Sequence, residues 1–180
     1  DNFSGARELT SHLISLGHRR IAFMVNSLEA WNYAGLERFN GYREALADNG
    51  IRMDRNLILD TGDESFESLM VLLRQDNPPT ALFALCDGVA ISMISHLHRN
   101  GIAVPRDFSV AGFDNIDIAA SYIPGLTTVD QPMRELGKRA AEILFDIIDG
   151  NIDVKTERIY ERIPCGLVVR ESCTQNIKEK

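Results

Sequence analysis

Side chains able to do chemistry gather where apolar runs of strand length stop. Val25 leads into Asn26-Ser27, Leu59 into Asp60-Thr61-Gly62-Asp63-Glu64, Leu85 into Cys86-Asp87, and Phe113 into Asp114-Asn115. Arg38 sits in the segment after the first run. The apolar positions there, Leu36, Phe39, Ala45 and Leu46, read as the sheet-facing side of a helix, which brings the guanidinium near the same end. Carboxylates, amides and one guanidinium suit a neutral, hydroxyl-rich or polar ligand, because a carboxylate accepts from neighbouring hydroxyls while an Arg fork donates to others. They suit catalysis poorly. The sequence holds no G-x-S-x-G, P-loop, G-x-G-x-x-G, H-E-x-x-H or S-x-x-K motif, and His12, His18, His96 and His98 fall on or near helices away from the strand ends. The expectation is a binding protein with no catalytic residue, metal ligand or cofactor.

Each candidate has a plainer reading. Asp87, before Gly88-Val89-Ala90, can simply cap a helix by accepting from backbone amides. Asp114 leaves its strand through the tight Gly112-Phe113-Asp114-Asn115 exit, with the next helix starting later, which favours ligand contact. Arg38 can pair on the surface with Glu37 or Asp48. Asp63 and Glu64 can be capping acids for the helix from Ser65, and Cys86 a small buried hydrophobe. His96 and His98, two residues apart, lie on different helix faces and read as packing or interface residues rather than metal ligands.

The elements that would position these side chains alternate along the chain. Candidate strands are Arg20–Val25, Leu57–Asp60, Thr80–Leu85, Phe108–Phe113 and Leu126–Asp130; candidate helices are Ser4–Leu16, Leu36–Asn49, Ser65–Gln75, Gly88–Asn100 and Pro132–Ile148. Gly17, Gly50, Gly101 and Gly150 stand just past helix ends, where a left-handed residue is wanted. Strands apolar at every position, such as Ala81-Leu82-Phe83-Ala84-Leu85, are those of a parallel sheet covered on both faces, so the fold class is α/β, doubly wound. After Gly150, Thr156–Ile163 alternates polar and apolar before Leu167-Val168-Val169-Arg170, which predicts an edge strand or two short ones. The polar tail Glu171–Lys180 is expected to fray.

Composition narrows the partners. A chain of 180 residues with 44% hydrophobic and 25% charged positions can bury a core without a metal or disulfide staple. Its formal charge is -7, from 26 acidic and 19 basic residues, so a surface for phosphate or nucleic acid would be built against the average field. No stretch approaches a membrane span, and Asp1-Asn2-Phe3-Ser4 has neither the basic end nor the apolar run of a signal peptide. Cys86, Cys165 and Cys173 lack paired C-x-x-C spacing and read as free thiols in a reducing cytoplasm.

Several stretches together resemble the effector domain of the lactose/galactose-repressor family of bacterial transcription regulators, which has a periplasmic-binding-protein-like fold. The carriers are Asp1-Asn2 with Gly5-Ala6, the run from His12 through Gly17-His18-Arg19-Arg20 to Ala22, and Arg38 three residues before Gly41-Tyr42. They continue with Pro79 to Asp87, Gly101 to Pro105, Asp107 to Asn115, Pro124 to Pro132 with Gln131, Leu136-Gly137 and Leu167 to Arg170. The resemblance implies that residues 1–130 and 152–170 form most of a carboxyl-terminal lobe, that 131–151 belong to the amino-terminal lobe, that 171–180 are a tail, and that a DNA-binding domain lies outside this chain. It carries the effector-contacting Arg onto Arg38 and the contacting Asp onto Asp114, with Asp87, Cys86 and Glu64 as further ligand positions. Cys86 stands where sugar-responsive members often have Asn, and Glu64 where an aromatic often stacks on the ligand, so the effector is left open among a sugar, a sugar phosphate and another compound. A homodimer is implied through Ile91, Ile94, His98 and Tyr122, with operator DNA reached only through the outside domain. The competing readings are a periplasmic sugar-binding transport receptor of the same fold and a doubly wound enzyme or signalling module. The free cysteines and the Leu16–Arg20 segment favour the repressor over the receptor, and no Lys follows a late strand as receiver chemistry requires.

Overall fold

Residues 1–25, 33–60 and 65–176 are described by a computed structural model of the chain. In chain order the elements are α1 (Asn2–Ser15), β1 (Ile21–Val25), α2 (Tyr33–Asp48), β2 (Ile58–Asp60), α3 (Ser65–Leu73), β3 (Ala81–Ala84), α4 (Asp87–Arg99), β4 (Ser109–Ala111), α5 (Asp117–Ser121), β5 (Thr128–Asp130), α6 (Met133–Ile148) and β6 (Gly166–Val168). Four strands pair in parallel in the order β2-β1-β3-β4. Pleating sends successive side chains to opposite faces, which explains strands apolar throughout. Ile21, Phe23, Val25, Ala81 and Phe83 enter a core with Leu9, Leu13, Tyr42 and Leu46 of α1 and α2. Ala22, Met24, Leu82 and Ala84 enter a second core with Leu69 of α3 and Val89, Met93, Ile94 and Leu97 of α4. Helices cover both faces, and the sheet is doubly wound.

The helix stops fall where the glycines predict: Gly17, Gly50, Gly101 and Gly150 all have positive φ. On α2, however, the buried residues are Gly35, Arg38, Gly41, Tyr42, Ala45 and Leu46, while Leu36 is 46% exposed. That corrects the expected placement of Leu36 and turns Arg38 inward.

Two further corrections concern the end of the chain. Thr156–Ile163 forms no strand: the segment is mostly exposed and held by side-chain pairs, Arg139 with Glu161 and Arg162 with Glu37. Only Gly166–Val168 pairs, antiparallel to β5. The tail does not fray before Asn176. Ser172 is fully buried; its Oγ donates to Val110 O at 2.5 Å and accepts from Thr127 N at 2.9 Å, and Val110 N donates to Ser172 O at 3.0 Å. Asn176 N then reaches Leu16 O at 2.8 Å.

Candidate effector site

β4 ends at Ala111, and the chain leaves through Gly112-Phe113-Asp114-Asn115. Asp114 has φ 111° and Asn115 φ 51°, backbone that non-glycine residues adopt uncommonly, Asp and Asn least reluctantly. Neighbours enforce it: Gly112 N donates to Thr127 O and Asp114 N to Val129 O, both at 2.9 Å, so β5 continues the sheet beside the exit. The bend lifts Asp114 out of the strand line toward α2.

Arg38 meets it there. Its side chain is 9% exposed and its Nη2 donates to Asp114 Oδ1 at 3.0 Å. Nη1 donates to Leu85 O at 2.7 Å and Nε to Asn2 Oδ1 at 2.9 Å, while the guanidinium carbon lies 3.9 Å from the centre of the Phe113 ring. Burial pulls the Arg38 pKa down from its usual value and Asp114 opposes the shift. The approach of α2 to α1 that joins Arg38 to Asn2 depends on Gly41, because a Cβ there would stand 2.3 Å from Phe3 O and 2.9 Å from Arg7 N.

A second layer fixes the acids. Gln131 Nε2 donates to Asp114 Oδ1 at 2.5 Å, and Asn115 Nδ2 to Asp130 Oδ1 at 2.7 Å. Arg170 then donates to Asn115 Oδ1 at 2.8 Å and Leu126 O at 2.7 Å. Arg38, Asp114, Asn115, Asp130 and Gln131 border an open cleft of about 1250 Å³, with Met133, Arg134 and Glu135 of α6 on another side. A buried guanidinium paired with a part-exposed carboxylate, a carboxylate oxygen that no described residue bonds and surrounding amides make a recognition surface for polar ligands; among the described residues no group of three or more His, Cys, Asp or Glu could hold a metal ion.

The other expected ligand positions fare differently. Asp87 is fully buried, its Oδ1 accepting from Thr128 Oγ1 at 2.5 Å and its Oδ2 from Ile116 N at 2.9 Å. It braces the floor of the site rather than lining the cleft, and neither it nor Cys86 borders the cavity. Cys86 is the residue capping α4, half-buried. Glu64 lies outside the described residues. Asn115 is read at its strand end together with Asp114, whereas Asn2, Asp130 and Gln131 are the members that strand-end reasoning missed; Asp130-Gln131 follows a strand as Asp114 does, and extending the same rule to the fifth strand finds those two. Of the expected dimer residues, Ile94 is fully buried in this chain's own core and has no surface to give a partner. Ile91 and Tyr122 are half-buried against that core. His98 is exposed, its Nε2 accepting from Val104 N at 3.3 Å.

Residues 10–173 match the family model of the periplasmic binding protein-like domain. The chain is 37% identical over 158 residues to the HTH-type transcriptional repressor PurR of Vibrio atlanticus, covering 86% of this chain and 46% of that one. Among solved structures it superposes on the transcriptional regulator CelR–cellobiose complex with TM-score 0.84 and 34% identity, covering 96% of this chain and 52% of that one. A LacI family transcriptional regulator from Enterococcus faecium with bound ribose gives TM-score 0.85 and 32% identity, covering 98% and 64%. The chain spans about half the length of the curated relatives it matches.

Proposed function

The chain belongs to the periplasmic binding protein-like domain family, among transcription regulators of the LacI type rather than enzymes, and from that premise we propose that it senses a small molecule, a sugar first, for a regulator of that type. The carrying observation is the Arg38–Asp114 pair, 3.0 Å apart at the mouth of a cleft. The ligand binds across the cleft, favours one arrangement of its two walls, and thereby biases operator binding by a domain outside this chain. Residues 1–130 and 152–170 form one wall's lobe and 131–151 an element of the other. In support, α6 buries none of its side chains and leaves Met133, Leu144, Phe145 and Ile148 each more than half exposed. The protein works as a homodimer in the cytoplasm, as the reading of a transcription regulator requires. Regulators, not transport receptors, stand among the relatives named above, so the transport alternative gains nothing.

The test is a thermal-shift screen of sugars against the full-length protein, followed by calorimetry on Arg38→Ala and Asp114→Ala. Each variant is expected to lose roughly one to two decades of affinity, the scale of a hydrogen bond to a charged group, and to keep its fold. A variant that melts early yet binds as well as the parent assigns the pair to folding instead and sinks the proposal.

A further inference from the structure

We infer that Glu161 and Arg162 form a strap that sets the angle of α6 over the cleft and ties it to α2, the helix that carries Arg38. The inference rests on the proposal that the two walls of the cleft change their arrangement.

Residues 131–165 leave the body of the fold after Asp130 and return at Gly166, its partner across the β5–β6 ladder. Both ends of this excursion attach at one place, so the ladder itself leaves the angle of α6 unset. Packing does not set it either: α6 buries none of its side chains, and a cavity of about 170 Å³ lies between its Leu136 and Tyr33 and Glu37 of α2.

Polar ties remain. Arg139 of α6 grips both carboxylate oxygens of Glu161, Nε donating to Oε2 at 2.7 Å and Nη2 to Oε1 at 2.5 Å, the two-pronged geometry in which a guanidinium and a carboxylate pair best. Glu142 accepts from Arg139 Nη1 at 3.2 Å and steadies it. Among the described residues no other side chain of α6 forms a hydrogen bond or ion pair outside residues 131–151. The next residue of the strap reaches the other way. Arg162 Nη2 stands 3.1 Å from Glu37 Oε2 and Nη1 3.8 Å from Asp1 Oδ1. Its Nε donates to Tyr160 OH at 2.9 Å and its Nη2 to Tyr33 OH at 3.4 Å, while the two tyrosine hydroxyls meet at 2.5 Å. Tyr33 and Glu37 are four apart and share a face of α2; Arg38 follows directly, turned inward to Asp114. A line of contacts thus runs from the α6 wall through two successive residues to the helix that presents the guanidinium.

The two ties act in series, so severing either frees α6 and severing both frees it no further. Arg139 and Glu161 are 38% and 40% exposed, Arg162 and Glu37 43% and 20%. Pairs so exposed weight an equilibrium by up to about 5-fold and are screened by salt, which suits a contact that gives way when the walls rearrange.

The test measures, in the ligand-free full-length protein, the energy-transfer distance between fluorophores carried by unnatural amino acids at the exposed Glu44 of α2 and Asp149 just past α6. Three variants are compared: Glu161→Ala, Tyr160→Phe with Arg162→Gln, and all three changes together. Each should shift the population of the parent arrangement by roughly 2- to 5-fold, and the triple change should add nothing to either part. Salt at about 1 M should move the unaltered protein toward the same distribution and leave the variants where they are. Distances that ignore the substitutions, or two effects that add, overturn the strap. Circular dichroism checks that every variant is folded, and Glu37→Gln loosens the α2 side should Arg162→Gln not fold. Cellobiose and ribose read the sensing proposal separately: an unaltered protein whose distance answers to neither counts against that proposal and leaves the strap standing, whereas a sugar affinity identical in parent and triple variant overturns the coupling of strap to cleft.

Discussion

Two aspartates that leave strands in similar sequence contexts end in opposite roles, and the difference lies in what each carboxylate has already bonded. Asp114 keeps an oxygen for the cleft. Asp87 spends both on the fold, on Thr128 Oγ1 and Ile116 N, and burial pushes its pKa above the ordinary carboxylate value. Removing it strands the buried Thr128 hydroxyl and the part-buried Ile116 amide, so Asp87→Ala should cost about 1–3 kcal/mol of unfolding free energy, the scale of one buried unsatisfied group. Urea denaturation reads it. Gly112→Ala should lose stability by the same route, because a Cβ there would stand 2.2 Å from Asp87 Oδ1 and 3.2 Å from Asp87 Cα. Strand-end position therefore made both residues legible as polar and important. It could not separate them, because Thr128 and Gly112, which decide the matter, are neighbours of Asp87 only in space. The helix pattern placed Arg38 near the strand ends, but only the family resemblance favoured ligand contact over a surface pair; the face it shares with Gly35, Tyr42 and Ala45 becomes a signal once Leu36 is no longer assumed to point inward.

At the scale of elements, alternation predicts the parallel sheet because buried strands must be apolar on both faces, and helix ends are marked by glycines whose positive φ is cheap. What hydropathy could not see is stabilisation by side-chain hydroxyls bonding backbone. The segment 171–176 reads as a polar tail, yet its Ser172 closes the β4 edge and its Thr174 O meets His18 Nε2 at 3.1 Å, with His18 Nδ1 2.9 Å from Thr80 Oγ1. Ser172→Ala should cost about 1–3 kcal/mol by leaving Thr127 N without its acceptor, and truncation after Arg170 should cost more. His18 adds a pH dependence. Burial lowers its folded pKa below the unfolded value of about 6.5, so its contribution is complete above that value. It is lost as pH falls toward the folded value, because the unfolded chain takes up the proton first. Melting temperatures should therefore drop on acidification below about pH 6.5, and His18→Gln should flatten part of that drop, with His12, also lowered by burial, keeping the remainder. The α1–α2 crossing gives a different prediction. Gly41→Ala pushes α2 off the α1 backbone and carries Arg38 with it, so stability and sugar affinity should fall together, whereas Arg38→Ala lowers affinity alone.

For the whole molecule, the proposed homodimer raises the question of which uncovered apolar surface would meet a second copy. Two compete. One is the α6 face with Leu144, Phe145 and Ile148; the other surrounds α5, where Ile123 is 86% and Ile118 51% exposed beside the half-buried Ile91 and Tyr122. The α6 helix, whose first turns border the cleft, is claimed, in the arrangement proposed above, by the rest of its own lobe. The α5 surface has no such claimant within the chain, and a net charge of -7 opposes nonspecific association, so pairing there must come from apolar complementarity about a two-fold axis. Sedimentation of the full-length protein at tens of micromolar should give a dimer. Ile123→Asp places a charge in the contact of both copies and should give a monomer, with a melting transition that no longer shifts with protein concentration. Because that side chain touches little within its own chain, the monomer's stability should stay within about 0.5 kcal/mol of the parent, as for other exposed positions. Phe145→Glu is the control: if it, and not Ile123→Asp, dissociates the dimer, the α6 face carries the association; if the unaltered protein sediments as a monomer, neither does.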